Sequence, residues 1–94
     1  MHEMGIAASV LEAVGKELER YPGRRAVKVG LRIGEFAGVD TESLRFCFEV
    51  ISKSSELAPI ELDLVWCKAE NGHSGEELDL AYLELEDDLI EVPA

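Results

Sequence analysis

The residues best suited to chemistry stand at the very start of the chain: Met1, His2 and Glu3. A free terminal amine followed by a histidine is a chelator. The amine nitrogen, a deprotonated backbone amide and the imidazole close fused chelate rings around one cation. Four nitrogen donors in a plane suit Ni(II) or Cu(II), whereas zinc prefers a tetrahedron. These residues precede any apolar stripe, so packing does not place His2. A bulky second residue leaves Met1 uncleaved and keeps His2 in the second position. The plainer reading of so early a histidine is a solvent-exposed side chain. Glu3 has two readings: a contact to a bound metal, or an acid favoured near the positive N-terminal end of a helix.

Other candidates are sparse. The chain has two cysteines and two histidines, too few for a four-cysteine zinc ribbon. Cys67 and His73 form no Cys-x-x-Cys pair. Two donors grip a metal only weakly, so they read as a strand-end thiol and a loop histidine, and zinc is expected to be absent. Cys47 lies on an apolar helical stripe and reads as a small buried hydrophobe. Glu35 follows Ile33-Gly34 and reads as a solvated loop acid or a partner-facing one. There is no P-loop, no Gly-rich dinucleotide fingerprint and no Ser/His/Asp set, so no enzyme is expected.

Five elements must position these residues. Ile6, Ala7, Val10, Leu11, Val14 and Leu18 recur at helical spacing, with charged residues opposite, and predict an amphipathic helix of about four turns. Tyr21-Pro22-Gly23 stops it. Val27, Val29, Leu31 and Ile33 alternate with Lys28, Gly30 and Arg32 as a strand with one buried face. Asp40 or Thr41 caps a second helix whose stripe is Leu44, Cys47, Phe48 and Ile51. Ile60, Leu62, Leu64 and Trp66 predict a second strand. Leu78, Leu80, Leu83 and Leu85 predict a third, whose alternation slips one residue near Ala81-Tyr82, as at a bulge.

Asn71-Gly72-His73-Ser74-Gly75 is turn chemistry, which predicts an antiparallel hairpin between these last two strands. The strand-helix-strand unit in the middle predicts a right-handed parallel crossover. The expected fold is an α/β two-layer sandwich, helix-strand-helix-strand-strand, with a three-stranded mixed sheet and two helices on one face. Lys28, Arg32, Glu61 and Asp63 would line its open face.

All 94 residues fit one domain, 1–94. No apolar run is long enough for a membrane span, and no basic-then-apolar start marks a signal peptide, so a cytoplasmic address is expected. Net charge is −11. Residues 1–60 hold nine acids and eight bases, whereas 61–94 hold eleven acids and one base, Lys68. Such a surface repels phosphate backbones and anionic membranes, so neither nucleic acid nor membrane is an expected partner. The acidic third reads as a solvated strand face followed by a soluble tail.

The run MHEMGIAASVLEAV, followed by Ile33-Gly34-Glu35, Gly38-Val39 and the stretch from Glu42 to Glu49 (ESLRFCFE), resembles the HypA family of nickel-incorporation proteins. Gly75 to Leu80 and Leu83 to Glu86 look like that family's last strand, so the resemblance covers almost the whole chain. It implies a mixed three-stranded sheet with two helices. It also implies a nickel metallochaperone for hydrogenase maturation, with urease as another client of the family. The implied Ni(II) ligands are the terminal amine of Met1, the His2 imidazole and the backbone nitrogens of His2 and Glu3. The implied partners are a nickel-handling GTPase and a hydrogenase large-subunit precursor.

One departure accompanies the match. The family carries a zinc module of two Cys-x-x-Cys pairs between its last two strands, and here a loop, 67–77, stands in its place. Roles tied to that module, in docking the partner enzyme, sensing pH and communicating with the nickel site, have no matching cysteine pairs in this chain. An alternative function is a metal-independent docking or regulatory module derived from the family. A strand-pairing homo-oligomer is a third, although the acids of the last strand oppose indiscriminate edge pairing.

Overall fold

The computed structural model describes residues 2–57 and 59–92. In chain order the elements are α1 (Glu3–Leu18), β1 (Ala26–Gly34), α2 (Thr41–Lys53), β2 (Glu61–Cys67), β3 (Leu78–Leu85) and β4 (Asp88–Glu91). The sheet order is β2-β1-β3-β4. β1 runs parallel to β2 and antiparallel to β3, and β4 is antiparallel to β3. The α/β class is as expected.

The helices follow their apolar stripes. Ala7, Val10 and Val14 of α1 and Leu44 and Phe48 of α2 are buried against Val29, Leu31 and Ile33 of β1 and Leu83 and Leu85 of β3. Cys47 is half-buried and packs at the edge of this core. The cap of α2 is Asp40, whose carboxylate accepts the Ser43 N–H at 3.2 Å.

Two sequence expectations are corrected. The sheet has four strands, not three. The chain reverses at Glu86-Asp87, and Ile90 of β4 pairs with Leu83 while Leu89 faces solvent. Four residues with acids at both ends carry too short a stripe to show a period, so β4 reads as tail. The second correction concerns β2 and β3, which do not form a hairpin: β1 lies between them. β1 carries the most buried strand pattern in the chain, and a strand covered on its apolar face and paired on both edges takes the centre.

The slip near Ala81 is a bulge. Gly30 pairs with Tyr82 and Leu31 with Leu80, leaving Ala81 as the extra residue. A second shift, between Ala26 and Lys28, leaves Val27 extra. That is why Ala26 is buried and Val27 only half-buried, against the alternation read from the sequence.

The open face is a set of cross-strand pairs. Lys28 meets Glu61 at 3.8 Å, and Arg32 meets Asp79 at 2.5 Å. The Tyr82 ring crosses the central strand over Gly30, where any Cβ would collide with it. Its hydroxyl then donates to Asp63 on β2 at 2.6 Å. Burial first, then the Asp63 carboxylate, pushes the Tyr82 phenol up to about 12.

Candidate functional site

Two places in the fold gather residues with metal-binding chemistry, and they are held in different ways.

The first is the start of α1. Met1 lies outside the described residues. His2 is exposed at the N-cap position in extended conformation, and its carbonyl accepts the Ile6 N–H at 3.1 Å, the first bond of the helix. Its imidazole makes no capping bond. The backbone N–H groups of a helix's first turn have no intrahelical acceptor, so the Glu3 nitrogen stands outside the helical ladder. Beside His2 opens a largely apolar cavity of about 530 Å³ between α1 and β3, lined among others by Ile6, Ser9, Leu78 and Asp79.

Glu3 turns the other way. Its carboxylate accepts the Asp40 N–H at 3.1 Å, which ties the start of α1 to the cap of α2. That bond, with the one to its own backbone N–H, holds the Glu3 carboxyl below its ordinary value. Glu3 thus stands in the first turn of α1 with its carboxylate engaged by the cap residue of α2.

The second place is the connection from β2 to β3, wrapped across the end of β1. The Glu35 N–H donates to Cys67 O at 2.9 Å, the Phe36 N–H to Gly75 O at 2.6 Å and the Gly34 N–H to Glu77 O at 2.8 Å. The Glu35 carboxylate accepts the Ala69 N–H at 2.8 Å. Ile33-Gly34-Glu35 is therefore a clamp. Gly34 is glycine because the Gly75 carbonyl occupies the space of a Cβ. Glu35, read as a solvated or partner-facing acid, is exposed as a solvated acid would be and also fastens the loop.

The clamp returns His73 and Glu77 to Cys67. One donor atom from each lies within 4.8 Å of the others. His73 Nδ1 stands 3.5 Å from Glu77 Oε2. The two Glu77 oxygens accept the Ser74 N–H at 3.0 Å and the Gly75 N–H at 2.9 Å, and the bond to its own backbone N–H first, then these two, hold its carboxyl below the ordinary value. Burial first, then the Glu77 carboxylate, raises the Cys67 thiol. The sequence pointed to Cys67 and His73 but not to Glu77. The His73–Glu77 spacing of four marks a common face only on a helix, and this segment is a loop with Asn71, Gly72 and Gly75 at positive φ.

The sequence comparisons agree with the residue pattern. A family model described as hydrogenase/urease nickel incorporation, metallochaperone, HypA, matches residues 1–75. The chain is similar to a hydrogenase maturation factor HypA of Desulfatibacillum aliphaticivorans, 42% identical over 65 residues, covering 68% of this chain and 50% of that protein. It is similar to the factor of the same name from Methanopyrus kandleri, 40% identical over 78 residues, 78% of this chain and 55% of that protein. A third, from Beijerinckia indica, is 34% identical over 73 residues, 71% of this chain and 65% of that protein. These matches cover about half to two thirds of the curated relatives. No solved structure matches the chain.

Proposed function

The chain belongs to the HypA family, and we propose that it carries Ni(II) at Met1-His2-Glu3 and delivers it during maturation of a nickel enzyme, a nickel–iron hydrogenase first among the clients. The observation that supports this reading most directly is the exposed His2 imidazole at the start of α1, which makes no capping bond, beside backbone nitrogens outside the helical ladder.

The donors would be the Met1 amine, the His2 imidazole and the backbone nitrogens of His2 and Glu3. Deprotonated amide nitrogens are anionic, and the N-terminal end of α1 is the positive end of its dipole, which favours them. The Glu3 side chain contributes by position: bonded to Asp40, it fixes where α1 begins relative to α2. Nickel is cargo in this scheme. Release is ligand exchange at an exposed terminus, and protons compete for every donor, so binding weakens as pH falls. The partners that fit are a nickel-handling GTPase and the hydrogenase large-subunit precursor, and the place of action is the cytoplasm. The protein itself catalyses no reaction in this scheme.

The test is Ni(II) binding to protein that keeps Met1 as its first residue, beside His2→Ala and a variant with one extra residue before Met1. A square-planar Ni(II) absorption spectrum is expected for the first and lost in both others. Equal binding by all three would overturn the site and leave the metal-independent docking module as the better description.

A further inference from the structure

We propose that Cys67, His73 and Glu77 form a three-donor site for a thiophilic divalent cation, Zn(II) by preference, with its fourth position open. The site is separate from the proposed nickel site and rests on different observations.

The donor set is chemically coherent. One thiolate, one imidazole and one carboxylate make the S, N, O combination that zinc accepts, whereas Mg(II) and Ca(II) take oxygen alone. The spacing is already close. In a tetrahedral site, bond lengths of about 2.0–2.1 Å put a nitrogen and an oxygen ligand roughly 3.3–3.4 Å apart. His73 Nδ1 and Glu77 Oε2 are 3.5 Å apart, and all three donor atoms fall within 4.8 Å of one another.

The backbone beneath these donors is fixed. Cys67 ends β2, and its carbonyl is bonded to Glu35. Glu77 is bonded through its carbonyl to Gly34 and through both carboxylate oxygens to the loop. Each carboxylate oxygen has a second lone pair, so these bonds leave room for a metal. His73 sits on the exposed turn with its ring turned toward Glu77.

This ligand set cannot reproduce two Cys-x-x-Cys pairs. The other cysteine, Cys47, packs at the core edge on α2. A cation here has three protein ligands and one position left for water or for a side chain of a docked protein. Such a site keeps an exchangeable fourth ligand position, unlike a closed four-thiolate site. Ni(II) in a planar field is the poorer fit, since the described residues bring three donors together here and not a fourth to complete a plane.

Co(II) titration of the full chain tests the proposal, because thiolate–Co(II) charge transfer reports sulfur ligation directly. One equivalent is expected to give a tetrahedral spectrum with a thiolate band that Zn(II) displaces. Cys67→Ser should abolish the band, while Cys47→Ser and His2→Ala should leave it. His73→Ala and Glu77→Gln should each weaken binding by about tenfold or more, since changing even an outer partner of a ligand costs that much. His73 is an exposed loop residue, so its variant folds whatever its effect on metal. The proposal fails if no thiolate band forms, if the band survives Cys67→Ser, or if His73→Ala and Glu77→Gln bind as the parent does. Displacement by Ni(II) but not by Zn(II) would overturn the choice of metal.

Discussion

The start of α1 and the loop across the end of β1 both gather donor groups, but by opposite means. At the N-terminus the proposed donors are adjacent in sequence, and of these the fold leaves His2 exposed. One side-chain bond, from Glu3 to the Asp40 N–H, fastens that end of the helix. At the loop the donors are separated by six residues and then by four, and backbone bonds from Gly34, Glu35 and Phe36 draw them together. A chelator made from consecutive residues, as proposed here, needs little architecture. A site made by convergence exists only while the fold holds it.

Substitutions should separate the two. Gly34→Ala has the largest expected effect, because its Cβ meets the Gly75 carbonyl, which is backbone and cannot swing aside. A cost of about 3 kcal/mol is expected, at the upper end for overpacking, measured by urea denaturation. The thiolate–Co(II) band should go with it, while Ni(II) binding persists in the folded fraction. Loss of both metals together would mean that the two regions are not independent.

Asp40→Ala works on the other region. It removes the cap of α2 but keeps the N–H that Glu3 uses, and should cost about 1 kcal/mol. The loop site should be unaffected. A matching loss of Co(II) affinity would show that the loop depends on the helix layer.

The smallest effect is Glu3→Gln, and it is resolved by pH. The folded Glu3 carboxyl lies below its ordinary value of 4.5, chiefly through the Asp40 N–H. Its contribution is therefore full above the unfolded value and is lost as pH falls through the folded one. The stability gap between parent and variant should be open at neutral pH and close on acidification below about 4.5. A gap that widens in acid would reverse the assignment.

Charge gives the same contrast on the scale of the whole chain. The sequence concentrates its acids in 61–94, and the fold offsets part of that concentration. With β1 between β2 and β3, Lys28 meets Glu61 and Arg32 meets Asp79. At the β3–β4 turn Arg24 reaches Asp87 and Arg25 reaches Glu86. Exposed pairs like these contribute little each. The Arg32 pair is the most sheltered, with the guanidinium-bearing side chain only 14% exposed. The acids read as a solvated face and a tail are in part the partners of the bases just before and within β1.

Much of the fold was legible because periodicity reports burial. The stripes of α1 and α2, the buried face of β1 and the slip at Ala81 all appear in the spacing of apolar residues. Strand order was not legible. Turn residues between β2 and β3 suggest a hairpin, since local chemistry does not say what lies between two strands. β4 was missed for want of length.

The proposed Met1-His2-Glu3 site was readable from sequence alone, because its donors would be covalent neighbours whose reach does not depend on the fold. The roles of Gly34 and Glu35, the Tyr82 bridge across Gly30 and the meeting of Glu77 with Cys67 and His73 were decided by tertiary structure. Each depends on which backbone passes over which strand, and that is fixed by burying the most apolar strand at the centre of the sheet.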